Sequence, residues 1–150
     1  MLTVGAGVDG GKTPEVVFKH ILFPADFGTG CTREAAFAFS IGQEHDATLT
    51  LLRVVRHLEH CSEDGLTLKR ESVKRQLRDL VPSGAEAWCE TNFRLAAGDP
   101  AGEILHFVEK TKADLIVMSK GADWLAGHVP GTTANKVVSK AHSPVLTVRS

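Results

Sequence analysis

The last third of the chain constrains its fold more than any other part. An apolar run, Asp114-Leu115-Ile116-Val117-Met118, opens into Ser119-Lys120-Gly121, then nine residues, then Gly131-Thr132-Thr133. That order reads as a strand, a glycine-punctuated loop and a helix start. Within residues 134–141, Ala134, Val137, Val138 and Ala141 share one helical stripe, and Pro144 introduces a second apolar strand, Val145-Leu146-Thr147-Val148. Two such strands around one amphipathic helix form a βαβ unit and commit the chain to a parallel sheet. The glycines and threonines at its mouth carry a chemical implication. Bare N–H groups at a helix N-terminus, helped by the helix dipole, bind anions and above all phosphates.

The upstream sequence alternates in the same way. Phe18 to Pro24 reads as a short buried strand ending at Asp26, and Gly28-Thr29-Gly30 as a turn. Thr32 is placed to cap a helix to about His45 that packs through Ala35, Ala36, Phe39 and Ser40. A second strand follows at Thr48 to Val55. A helix over 65–81 carries Val73, Leu77, Leu80 and Val81 at helical spacing, and Pro82-Ser83-Gly84 ends it. Glu86 to Leu95 is expected as the third strand. Asp99 and Pro100 supply the N-cap and first residue of a helix turning Ile104, Leu105 and Val108 inward. Five strands alternating with four helices predict an α/β three-layer sandwich.

Several spaced segments together resemble the universal stress protein family. Its nucleotide-binding members carry Gly-x2-Gly-x9-Gly-[Ser/Thr] in the loop after the fourth strand. Gly121, the nine residues 122–130, Gly131 and Thr132 match the second half of that pattern, and Met118 stands where the first glycine would fall. Ile21-Leu22-Phe23-Pro24-Ala25-Asp26-Phe27 resembles the family's first strand and its terminal aspartate, and Gly98-Asp99-Pro100-Ala101-Gly102-Glu103-Ile104 the entry to the third helix. With Ala113 to Met118 and Ser143-Pro144-Val145-Leu146, the likeness covers roughly residues 18 to 149. The division implied is a domain over 18–150 after a leader or inter-domain linker remnant over 1–17.

The resemblance implies a Rossmann-like sheet of five parallel strands in the order 3-2-1-4-5, of the adenine nucleotide alpha hydrolase-like kind. In that order the first and fourth strands are neighbours whose crossovers leave in opposite directions, so a crevice opens at their carboxyl ends. It further implies an adenine nucleotide, ATP, in that crevice. Asp26 and Val54 would lie near base and ribose, Gly121 near ribose or phosphate, and Gly131 with Thr132 at the phosphates. Thr133 follows at the helix start, Lys120 adds positive charge, and a threonine hydroxyl suits phosphate or a bound Mg2+. Against this stands a plainer reading, in which Asp26 ends a strand and the glycines form a turn and a cap. Met118, Asp123 beside the expected phosphates, and Pro130, which removes a donor, favour that reading. It makes the chain a degenerate domain acting through dimerisation or protein–protein interaction.

Composition excludes other classes. The net charge of −1 over 150 residues builds no broad basic face for nucleic acid. No apolar run reaches membrane-spanning length and Met1 to Gly11 lacks the pattern of a signal peptide, which leaves the cytoplasm as the expected location. Cys31, Cys61 and Cys89, odd in number and far apart, are expected as reduced thiols, with Cys89 packing in a strand. Gly10-Gly11-Lys12-Thr13 imitates a P-loop, but Ala6 stands at its first glycine and a strand follows, so a flexible connector is the better account.

His57, Glu59, His60 and Cys61 form a compact donor cluster, read either as a metal site or, more simply, as solvated loop residues. Trp124 is a lid, a partner anchor or a packing residue. No Ser/His/Asp arrangement, general base or arginine finger stands out, so catalysis is limited to slow hydrolysis. Finally, Leu2-Thr3-Val4 echoes Leu146-Thr147-Val148. The echo suggests the second half of a tandem protein, and the family likeness implies pairing through last strands. A homodimer through residues 145–148 is expected, with residues 2–4 beside them.

Overall fold

The computed structural model describes residues 2–3, 16–59, 61–119 and 133–148. Strand β1 is Leu2–Thr3, β2 His20–Pro24, β3 Thr48–Val55, β4 Thr91–Ala97, β5 Leu115–Ser119 and β6 Val145–Val148. Helices α1 (Cys31–His45), α2 (Glu63–Arg78), α3 (Pro100–Thr111) and α4 (Thr133–Lys140) connect them. The sheet runs β1-β6-β5-β2-β3-β4. Its five parallel strands therefore follow the order 3-2-1-4-5, counted from β2, and β1 joins the far edge antiparallel, Leu2 opposite Leu146 and Thr3 opposite Val145. No helix among the described residues is long and apolar enough to cross a membrane.

Strand β2 is central because its sequence is apolar on both faces. Ile21, Leu22 and Phe23 are each fully excluded from solvent, contributing about 1.5–3 kcal/mol apiece. Ile21, Phe23, Leu49, Leu51, Leu115 and Val117 point to one side, where α1 brings Ala35, Ala38 and Phe39 and α2 brings Val73 and Leu77. On the other side Leu22, Leu52, Ile116 and Met118 meet Ala101, Ile104 and Val108 of α3 and Ala134 and Val137 of α4. Asp114 fastens the start of β2 to the start of β5, accepting from the N–H groups of Lys19 (2.8 Å) and His20 (3.0 Å).

Some boundaries depart from expectation. The strand expected at Glu86 begins only at Thr91, and Ala85–Ala87 is a 3-10 turn. Gly84 at φ 81° reverses the chain, after which Ala85, Ala87, Trp88 and Cys89 donate to carbonyls of Pro82, Gly84 and Ala85. Local turn bonds outcompete sheet pairing there. Helix α1 opens at Cys31 after a left-handed Gly30 with no side-chain cap, so the cap lies two residues before the expected Thr32. Its buried stripe is Cys31, Glu34, Ala35, Ala38, Phe39 and Gly42, whereas Ala36 and Ser40 are exposed. Helix α2 starts at Glu63, where Ser62 Oγ accepts from Gly65 N–H. The cap expected for α3 is present: Asp99 accepts from Gly102 N–H at 3.0 Å, with Pro100 in the first turn.

Candidate functional site

A cavity of about 460 Å³ opens at the carboxyl ends of β2, β3 and β5, beside the starts of α3 and α4. Each strand supplies something different. From β2 the chain passes Ala25, whose N–H donates to Leu52 O at 2.8 Å, and reaches the exposed Asp26. Asp26 Oδ1 accepts from Gly28 N–H at 2.8 Å, and a Cβ on Gly28 would sit 3.2 Å from that oxygen. Phe27 between them takes a left-handed φ of 58°. A tight turn thus fixes the carboxylate at the cavity rim.

Strand β3 contributes Val54 and Val55, followed by Arg56, and turns Arg53 back over the β2 exit. The Arg53 guanidinium lies 5.0 Å from the centre of the Phe27 ring and donates to Ala25 O at 3.3 Å. Strand β5 contributes Met118, buried in the floor, and Ser119, whose hydroxyl donates to Glu34 Oε1 at 2.9 Å. Glu34 is 1% exposed, in the first turn of α1, where the helix N-terminus favours negative charge. A buried carboxylate needs partners, and Ser119 ties this one to the end of β5. Thr133 and Ala134 close the cavity from α4, and Pro100 and Ile104 wall it from α3.

Of the residues expected at a ligand, the fold brings Asp26, Val54 and Thr133 to one cavity. Lys120, Gly121, Gly131 and Thr132 lie outside the described residues, as do Asp123, Trp124, Pro130 and the P-loop imitation at 10–13. Sequence reading missed Arg53, Arg56, Glu34 and Ser119. Nothing in the strand pattern marks the arginines. For Glu34 the detectable signal is an acid three residues into a helix that leaves a cavity rim.

The donors His57, Glu59 and Cys61 do not converge; His57 Nδ1 and Glu59 pair at 3.5 Å with both side chains exposed, and His60 lies outside the described residues. Ligand atoms of Asp26, Cys31 and Glu34 do fall within 4.8 Å of one another. Burial pushes the Cys31 thiol above its ordinary range, and the nearby Asp26 and Glu34 carboxylates push the same way despite backbone bonds that oppose them. Cys31 and Glu34 of the trio are buried, and Asp26 is exposed. Cys89 is likewise raised by burial, and its thiol donates to Ala47 O at 3.2 Å.

The family pattern described as "Universal stress protein family" matches residues 18–149, the span that holds the five parallel strands and the cavity. The chain belongs to the universal stress protein family. It is 35% identical over 147 residues to the universal stress protein MJ0531 of Methanocaldococcus jannaschii, spanning 92% of this chain and 86% of that relative. Its fold is that of solved universal stress protein structures and of the protein MJ0577, which superposes with a TM-score of 0.73 at 23% identity over 90% of this chain and 98% of the other. A universal stress protein in complex with cAMP gives a TM-score of 0.68 at 19% identity, covering 89% and 98% of the two chains. The Archaeoglobus fulgidus universal stress protein in complex with dAMP gives 0.62 at 17% identity, covering 88% and 98%.

Proposed function

We propose that this universal stress protein is a cytoplasmic adenine nucleotide-binding module that takes ATP, with Mg2+, in the cavity between the carboxyl ends of β2 and β5. The observation that carries the reading is the convergence of Asp26, Val54 and Thr133, chosen from separate parts of the sequence, on one cavity of about 460 Å³. That volume suits a small-molecule ligand. The chemistry of the walls fits a nucleoside: Pro24, Val54, Ile104 and Met118 offer apolar contact to a flat base, and the Asp26 carboxylate accepts from an amine or ribose hydroxyl. Thr133, at the start of α4, places a hydroxyl near the helix N-terminus where phosphate is favoured. The relatives bound to cAMP and dAMP support an adenine ligand.

Lys120, Gly121, Gly131 and Thr132 complete the proposal from the sequence pattern, as the groups nearest ribose and phosphates. No general base aimed at a water is described in the cavity, so binding with at most slow hydrolysis is the role assigned. Titration calorimetry with ATP and magnesium tests it. Heat of binding that Gly131→Val and Asp26→Ala each diminish supports the reading; a wild-type chain silent at millimolar ATP removes it.

A second reading draws on Met118, which stands at the first glycine of the family pattern and is 4% exposed in the core. In this reading the domain binds no nucleotide and acts by association through β6. At that edge β1 pairs Leu2 with Leu146 and Thr3 with Val145, and the apolar character of the final strand supports a contact there. The proposed assembly is a homodimer through residues 145–148. Sedimentation at micromolar concentration is the test, with Leu146→Lys expected to shift dimer toward monomer.

A further inference from the structure

The α3 side of the sheet holds a second cavity, of about 600 Å³, that nucleotide binding leaves unused. It lies between α3 and the β3–β4 half of the sheet, and among the described residues the two cavities share only Leu52. A sheet face beneath a helix is normally apolar. This one is polar at its floor, where the His20 ring Nε2 and Thr50 Oγ1 lie 2.8 Å apart, with Thr50 2% exposed. Asn92 and Arg94 alternate onto the same face from β4. The wall is one stripe of α3, Glu103, His106 and Lys110, with Phe107 and Leu52 adding apolar surface.

Charge is not evenly spread in this groove. Among the described residues, neither Arg94 nor Lys110 has a carboxylate within 4.0 Å. The Arg94 guanidinium donates only to the neighbouring Phe93 carbonyl, at 3.0 Å. Glu103 stands about 10 Å along the helix axis from Lys110. Its Oε1 lies against Gly98, 2.8 Å from where a Cβ would be built, which holds the acid at the end of the groove nearest the first cavity. The rest of the charged lining is basic: a guanidinium from Arg94, an ammonium from Lys110 and the imidazole of His106.

We propose that this groove is a second ligand site, for a small organic phosphate monoester: Arg94, Lys110 and His106 hold the phosphate, and Leu52 and Phe107 hold an apolar body. A planar fork and a mobile ammonium donating to one anion are the usual means of holding phosphate. The cavity is several times larger than a bare phosphate needs, and its apolar walls account for the remainder. The site rests on residues other than those proposed for ATP, so either ligand can fail without the other.

The test is titration of the isotope-labelled full chain with phenyl phosphate, followed by amide shifts in two-dimensional NMR. Shifts at residues 92–95 and 106–111 are expected. The double variant Arg94→Gln/Lys110→Gln should weaken binding about tenfold or more. Arg94→Lys, which keeps the charge and loses the fork, should weaken it severalfold and guards against a double variant that does not fold. Asp26→Ala should leave the response unchanged. No response at millimolar phenyl phosphate overturns the proposal, as do shifts confined to Ala25, Asp26, Val54 and Ser119. An equal response to inorganic sulfate also overturns it, since that reduces the groove to general attraction of anions.

Discussion

On the side of the sheet covered by α1 and α2, Ile21, Phe23, Leu49, Leu51, Leu115 and Val117 form one apolar floor, and Phe39 and Leu77 seal it. On the side covered by α3 and α4 the apolar cover thins toward β4, where Thr50, Asn92 and Arg94 stand in place of a core. Both cavities belong to this second side. The difference arises from crossover lengths: α1 and α2 each bridge neighbouring strands, while α3 alone must carry the chain from the β4 edge back to β5. One helix cannot cover that span. The closed face supplies stability, and the incompletely covered face holds the two cavities.

Truncation on the closed face should have the largest effect. Phe39→Ala is expected to lower unfolding stability by about 3–5 kcal/mol, read from urea denaturation midpoints. Asp26→Ala, at the rim of the open face, should change stability little while weakening ATP about tenfold in calorimetry, the equivalent of about 1.4 kcal/mol. Thr50→Val on the groove floor should cost no more than about 1 kcal/mol, because the half-exposed His20 ring regains water for its lost partner. A loss at Thr50 equal to that at Phe39 would break the contrast between the faces.

The smallest effect concerns the thiols of the closed face. Burial raises both Cys31 and Cys89, so in the folded chain they stay protonated where unfolded thiols ionise. Above the ordinary thiol range the unfolded state then binds fewer protons, and stability falls as pH rises toward the folded values. Urea midpoints followed from about pH 8 to pH 10 should decline for the wild type and decline less for Cys31→Ala. The exposed Cys61 should meanwhile react with alkylating agents well before either buried thiol. Equal reactivity of all three would show that the closed face is not closed.

Much of the sandwich was legible because its signals are local. The unbroken apolar runs Ile21-Leu22-Phe23 and Leu115 to Met118 can only be central strands of a parallel sheet, and Asp99-Pro100 can hardly be other than a helix start. The phase of α1 was not legible. Alanines at 35, 36 and 38 and phenylalanines at 37 and 39 let two neighbouring stripes compete, and the choice is made by the sheet beneath. The strand expected at Glu86 failed because Trp88 and Cys89 are apolar for packing around a turn, Trp88 meeting Phe39 edge-on at 6.3 Å. At the cavity, Asp26 and Val54 were readable from the family pattern. Arg53 and Glu34 were not, since their roles depend on a ring and a hydroxyl distant in sequence.

The clamp made by Asp114 has a consequence for how the chain assembles. Its carboxylate reaches the Lys19 and His20 amides across 95 and 94 residues, and Ile21 pairs with Leu115 across a similar distance. During synthesis, β2, β3 and β4 emerge in succession and each finds its neighbour at once. The other side of β2 waits until the ribosome has passed the end of β5. Until then a central apolar strand has one bare edge, the condition that invites wrong pairing. Topology therefore places the slow, long-range step of folding at the middle of the sheet, on the seam where the ligand crevice later opens.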